Sequence, residues 1–285
     1  MDALRPFVEI VNPVNACAGE AVFEPEELDN TVASPLLSLQ TDLSDQWQSP
    51  PQRSLDFNGP THPFKHLPAD FLYRPIFETF REVAQRYAAN TAVLDGNLEL
   101  TYGQLFDASC RVAELVSTAT SPGDAVGILM PSSVAFAAAV MGCLAAGRPY
   151  VALDTGYPQQ RNMEIIERAG LSVLIVDSTR AEGALDLPRR CCQLDIAGIL
   201  AGPTCCATDL LRHSDSTEMP AVILYTSGSS GRPKGIVNSQ RCLLQRVRQH
   251  VEASHIDNED VFLLLSSFCT IAGTREALTD RKSVV

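Results

Sequence analysis

Residues 221–235 read AVILYTSGSSGRPKG, and no other stretch limits the fold as tightly. The five from Ala221 to Tyr225 have the apolar, partly β-branched character of a short buried strand. The ten that follow hold three glycines, three serines, one threonine, one proline and two cations, and cannot bury a core. Glycine puts no Cβ in the way of an approaching anion and tolerates φ > 0, so backbone N–H groups can converge on it. The hydroxyls of Thr226, Ser227, Ser229 and Ser230 add donors, and Arg232 and Lys234 add charge. The chemistry is that of a phosphate cradle, with Thr226, Ser227, Gly228, Ser229, Ser230, Gly231, Lys234 and Gly235 as the binding set. It is not the GxxxxGK[ST] loop. A flexible Gly/Ser surface loop is the competing reading.

Local charge favours the cradle. The chain carries a formal net charge of −12, yet no carboxylate stands between Glu218 and Glu252. In that interval Arg232, Lys234, Arg241, Arg246 and Arg248 supply five positive charges. A basic island in an acidic chain suits a small polyanion better than DNA, RNA or an anionic membrane. Arg246 and Arg248, on the helix that follows, read instead as a solvated face.

Upstream, the pattern is βαβ. The segment 75–89 repeats apolar residues at helical spacing, and Asp95-Gly96-Asn97 between 92–94 and 98–102 signals a hairpin. Thr101 with Gln104 three residues on forms a capping box for a helix whose stripe is Leu105, Phe106, Ala108, Val112, Leu115 and Val116. Strands at 125–130, 150–153 and 171–176 then alternate with helices at 134–146 and 158–169. Such alternation means a mostly parallel sheet flanked by helices, an α/β fold. The helix at 134–146, started by Ser132 or Ser133 and stopped by Gly147, is apolar nearly all round and should sit deep between layers. A further strand is expected at 261–265, and Ser239 should cap a helix directly after the glycine-rich loop. The loop would then lie between a strand and a helix, where open α/β sheets hold ligands.

The remaining signals are weak. Residues 1–70 form an acidic, proline-rich leader: nine carboxylates face one cation between Asp2 and Asp45, and five prolines follow by Pro68. The nine cysteines include no CxxC pair and read as reduced thiols, mostly core residues, with no metal site. There is no GxSxG elbow, and His213 reads as solvated surface. No secretory signal opens the chain and no apolar run approaches the ~20 residues that span a bilayer. A cytoplasmic location is the expectation.

The string LYTSGSSGRPKG resembles the signature loop of the adenylate-forming (AMP-binding) enzymes, the superfamily of acyl-CoA synthetases, luciferases and nonribosomal peptide synthetase adenylation domains. LTYGQL at 100–105 and LAAGRPYVALD at 144–154 resemble, in order, the first two core motifs of adenylation domains. The resemblance covers roughly 74–279, so that 71–279 would be the N-terminal part of such a domain. It implies ATP-dependent activation of a carboxylic or amino acid with release of pyrophosphate, and transfer of the acyl group to a phosphopantetheine or coenzyme A thiol, with a carrier-protein domain as partner. It implies Mg2+ as well, with ligands mostly outside the chain, and it casts Lys234 and Thr226 as catalytic groups. One departure matters. Where peptide-synthetase domains place an FDxS-type Asp that pairs with the substrate ammonium, the chain has SSFCTIAGTREALT, with no carboxylate between Asp260 and Glu276. A carboxylic acid other than an amino acid is thus an open alternative. The family's later motifs, including the adenylation lysine, do not occur, and the last six residues, 280–285, read as a non-native tail. The chain then reads as an inactive fragment of an active ligase. A non-catalytic nucleotide-binding module is the second reading, and an unrelated phosphotransferase the third.

Overall fold

The structure, a computed structural model, describes residues 66–96, 98–179, 188, 191–202, 216–227, 232–256, 262 and 264–279. A single 3-10 turn, Phe71–Tyr73, leads into helix α1, Ile76–Arg86. Strands β1, Thr91–Asp95, and β2, Leu98–Thr101, pair antiparallel as a two-stranded sheet. Gly96 takes the φ of +60° that the tight reversal needs. Helix α2, Tyr102–Ala119, begins at the expected capping box, with the Thr101 hydroxyl accepting from Gln104 N and the Gln104 side chain accepting from Thr101 N.

Strand β3, Val126–Leu129, then α3, Val134–Ala145, β4, Tyr150–Leu153, α4, Gln159–Arg168, and β5, Val173–Val176, follow in the alternation the sequence predicts. Beyond them lie β6, Cys192–Asp195, a short helix α5, Ile196–Leu200, the hairpin of β7, Pro220–Ser227, and β8, Pro233–Ser239, and helices α6, Gln240–Ser254, and α7, Ile271–Leu278. The larger sheet runs β6-β5-β3-β4-β7-β8, parallel throughout except for β8.

Both faces of this sheet are covered, and its strands alternate between two cores accordingly. Val126, Ile128, Tyr150, Ala152, Val173 and Ile175 point into the larger core with α1, α2, α3 and α6. Leu129, Val151, Leu153 and Leu174 point the other way, onto Ile165 and Ile166 of α4. Helix α3 is the centre of the larger core: all of its residues except Ala137 are buried, as the lack of any polar face requires. Ser133 is its cap, accepting from Phe136 N at 3.2 Å.

Two buried polar side chains tie helix ends together. Arg148, 6% exposed, donates from Nε to Thr120 Oγ1 and from Nη1 to Ala146 O, each at 3.0 Å. Those acceptors cap the C-termini of α2 and α3, so the negative ends of two helix dipoles meet the guanidinium. Gln240, 1% exposed, accepts from Ile76 N at 2.9 Å and so caps α1, which Pro75 leaves without a side-chain partner.

Four expectations change. Leu115 is 40% exposed, because it lies at the margin of the α2 stripe, while Ser109 and Cys110 take its place inside. β6 forms where the sequence shows no strand pattern. No strand includes Phe262, Leu264 or Leu265, and the other residues of 261–265 lie outside the described set. Most important, α6 does start at Ser239, but it does not follow the glycine-rich loop directly: β8 intervenes.

Candidate functional site

Strand β7 continues two residues past the expected Tyr225, through Thr226 to Ser227, and β8 returns from Pro233. The register pairs Ser227 with Pro233, Thr226 with Lys234 and Tyr225 with Gly235. Directly opposed residues of an antiparallel pair share a face, so Thr226 and Lys234 stand side by side at the end of the hairpin next to the glycine-rich connection. Both are exposed. A hydroxyl and an ammonium from opposite strands are thus neighbours on one exposed face. Of the predicted set, Gly228, Ser229, Ser230 and Gly231 lie outside the described residues, as does the side chain of Ser227.

Gly235 serves its partner strand. A Cβ there would lie 3.0 Å from Tyr225 Cζ and 3.2 Å from its hydroxyl, so the missing side chain is the seat of the Tyr225 ring. That ring packs with Ile223 on the α4 side of the sheet. Thr226, one residue on, faces away from α4.

The hairpin opens at the edge where parallel strands end. β4 pairs in parallel with β7 through Tyr150 and Val222, so β4 runs out into Asp154 on the same side as Thr226. Asp154 closes the second of the sequence motifs but drew no role from sequence. Its Oδ1 accepts from Gly156 N at 2.9 Å, its Oδ2 from Ser267 Oγ at 3.1 Å, and its carbonyl from Asn162 Nδ2 at 2.8 Å. The carboxylate therefore fastens the segment before α7 to the end of β4. Gly273 makes the approach possible: a Cβ there would lie 2.2 Å from Ser267 O. Ser267 Oγ also accepts from Cys269 N at 3.2 Å, and Phe268 stacks on Phe136 of α3 with ring centroids 4.1 Å apart. Ser267 lies 113 residues from Asp154, and only the sheet brings them together.

Below this junction the environment is dry and favours neutral groups. Burial pushes the half-buried Cys269 thiol up to about 11, an effect the Ser267 hydrogen bond and Arg161 oppose. Burial raises Cys143 on α3 and Tyr150 on β4 further, the Thr274 hydroxyl partly offsetting the effect at Tyr150. In the unfolded chain these groups ionise at their ordinary 9.0 and 10.0. Folding stability from keeping them neutral is complete below those values and is lost as pH rises through them, because only the unfolded state releases its protons there. The melting temperature should fall with pH above about 9, and Cys143→Ala should flatten that fall. Thermal melts of both proteins across pH 7–11 decide it, and parallel profiles would refute it.

Among the described residues no group of three His, Cys, Asp or Glu is placed to hold a metal ion, and no helix is long and apolar enough to cross a membrane.

The family model described as AMP-binding enzyme matches residues 80–279. Bacitracin synthase 3 of Bacillus licheniformis is 27% identical over 207 residues, 72% of the chain and 3% of that protein. Pyochelin synthetase PchE of Pseudomonas aeruginosa is 30% identical over 247 residues, 85% of the chain and 16% of that protein. Among solved structures, the nonribosomal peptide synthetase FmoA3 superposes with a TM-score of 0.66 at 27% identity, covering 77% of the chain and 22% of FmoA3. Its alpha-methyl-L-serine-AMP-bound form gives 0.65 at 27% identity, over 75% of the chain and 24% of that structure. The chain spans a small part of the length of each of these proteins. With its α/β architecture, its strand-end hairpin and a family match over most of its described residues, the chain belongs to the AMP-binding enzymes.

Proposed function

We propose that the chain is the N-terminal part of an adenylation domain in an ATP-dependent carboxylate-activating ligase, and that the loop end of the β7–β8 hairpin holds the nucleotide's polyphosphate. The observation that carries this reading is the exposed Thr226–Lys234 pair at the carboxyl end of the parallel strands, where open α/β sheets hold ligands. In the reaction a carboxylate oxygen of the acid attacks the α-phosphorus of ATP. The bond from that phosphorus to the bridging oxygen breaks, and pyrophosphate departs with the electron pair. Charge grows on the leaving group, so donors already aimed at it lower the barrier more than they bind the ground state. Thr226 offers a hydroxyl and Lys234 a point charge for that purpose, with Ser227 through Gly231 and Gly235 as the remainder of the cradle. The described residues supply hydroxyls and one ammonium rather than a magnesium ligand set. In a second step a phosphopantetheine or coenzyme A thiol displaces AMP from the acyl-adenylate, a carrier-protein domain being the partner when the thiol is tethered.

Support for ATP as the nucleotide comes from the AMPPNP-bound form of FmoA3, 26% identical with a TM-score of 0.60. On this reading 71–279 is the adenylation segment, 1–70 a leader and 280–285 a tail foreign to it. The acid is a small carboxylic or amino acid. Cys269, neutral and half-buried, occupies the carboxylate-free stretch where an ammonium partner would be expected, which favours an acid without an α-amino group. Acid-dependent ATP–pyrophosphate exchange, measured on the longest reading frame containing this chain with amino acids and non-amino acids in parallel, is the test. Exchange with an acid supports the ligase. ATP binding without exchange for any acid favours the alternative, a non-catalytic nucleotide-binding module. Residues 1–285 alone should show no exchange.

A further inference from the structure

The Thr226–Lys234 pair works only if the two strands that carry it are held in fixed relation, and β8 is paired with a single strand among the described residues. It is the last strand of the sheet, bonded to β7 on one side and to no other strand among the described residues. Its first residue is Pro233, which has no N–H to give to a ladder. One side chain from elsewhere in the fold reaches this weak corner. Arg168, the last residue of α4, donates from Nη1 to Pro233 O at 3.1 Å across 65 residues of sequence. The bonded carbonyl belongs to the residue next to Lys234 and opposite Ser227.

The same guanidinium also bears on the other strand. Burial raises the Tyr225 hydroxyl above its ordinary value, and the charge of Arg168 opposes that rise. Tyr225 in turn lies over Gly235. Arg168 therefore touches β8 through a carbonyl and acts electrostatically on Tyr225 of β7, residues one position from each member of the exposed pair. Helix α4 beneath it is anchored by Ile165 and Ile166, both fully buried or nearly so. A planar guanidinium on a rigid helix end is suited to this, since its donors are fixed relative to one another.

We propose that Arg168 is a positioning residue for polyphosphate binding: it braces the loop end of the β7–β8 hairpin from α4 and so sets the spacing of Thr226 and Lys234. This rests on the reading that the hairpin holds the nucleotide's polyphosphate. Arg168 itself is separated from the ligand by Pro233, and its effect is confined to the phosphates the hairpin reaches.

The test is calorimetric titration of ATP, AMP and inorganic tripolyphosphate into residues 1–285 as wild type, Arg168→Met, Arg168→Lys and Lys234→Met, with a thermal melt of each. Arg168→Met should weaken ATP and tripolyphosphate on the order of tenfold, as expected when binding groups lose their alignment, and leave AMP unchanged. Arg168→Lys, which keeps a donor for the Pro233 carbonyl, should restore most of the affinity. ATP affinity equal to wild type in Arg168→Met overturns the brace, and so does an equal loss for ATP and AMP, which would mark a general loss of fold. The reading beneath it fails separately, when wild type binds neither ATP nor tripolyphosphate or when Lys234→Met binds both undiminished.

Discussion

Gly142→Val will lower the free energy of unfolding by about 3 kcal/mol, the upper part of what overpacking a tight core costs. Helices α2 and α3 meet at this glycine. A Cβ at Gly142 would lie 2.4 Å from both Cβ and Cγ1 of Val112, and 2.9 Å from Ser109 O. The first two atoms belong to a stiff β-branched side chain that is wholly buried, and the third is backbone, so nothing nearby can move aside cheaply. Removing the clash by separating the helices would open the centre of the larger core, which α3 supplies on every side. Val112→Ala in the same chain removes the Cγ1 contact, one of the three, and should recover part of the loss, a coupling of about 1 kcal/mol. Urea denaturation of the two single variants and the double variant measures both quantities. A midpoint for Gly142→Val at the wild-type value would show that the helices are not in contact there.

That contact is invisible in the sequence, whereas the helix that makes it is not. α3 announces itself by an unbroken apolar run, and Ser133 and Gly147 mark its limits because only a capping hydroxyl and a residue tolerant of φ +65° serve there. The Thr101–Gln104 box and the Gly96 reversal were legible for the same reason: each is decided by neighbours in sequence. What failed to show was decided across the fold. β8 reads PKGIVNS, with proline, glycine and asparagine and little alternation, and it becomes a strand because β7 offers it a partner. β6, CQLD, is a short polar edge strand of the same kind. The candidate site follows this division. Thr226 and Lys234 were identifiable as chemistry, yet their pairing depends on β8. Asp154 with Ser267, and Arg168 with Pro233, depend on the sheet that joins distant segments.

Lys234→Met will lower acid-dependent ATP–pyrophosphate exchange by a factor on the order of 10²–10³, about 3–4 kcal/mol of transition-state stabilisation. Methionine keeps the length and the apolar stem of lysine and removes only the charge, so an exposed strand position should fold as before. The loss should exceed the weakening of ATP binding and appear in kcat as well, since charge on the departing pyrophosphate grows as its bond to the α-phosphorus breaks. Thr226→Val removes a neutral donor while keeping the β-branched shape that suits a strand end, and should cost less, roughly tenfold, in line with one uncharged hydrogen bond. Because the two side chains stand opposite one another on the same pair of strands, their effects should not add: once Lys234 is gone the polyphosphate is less well placed for the hydroxyl to reach. Steady-state exchange by the two single variants and the double variant, on the longest reading frame containing the chain, gives the coupling directly. Equal exchange by wild type and Lys234→Met would take the ammonium out of the reaction and leave the hairpin an ordinary sheet edge.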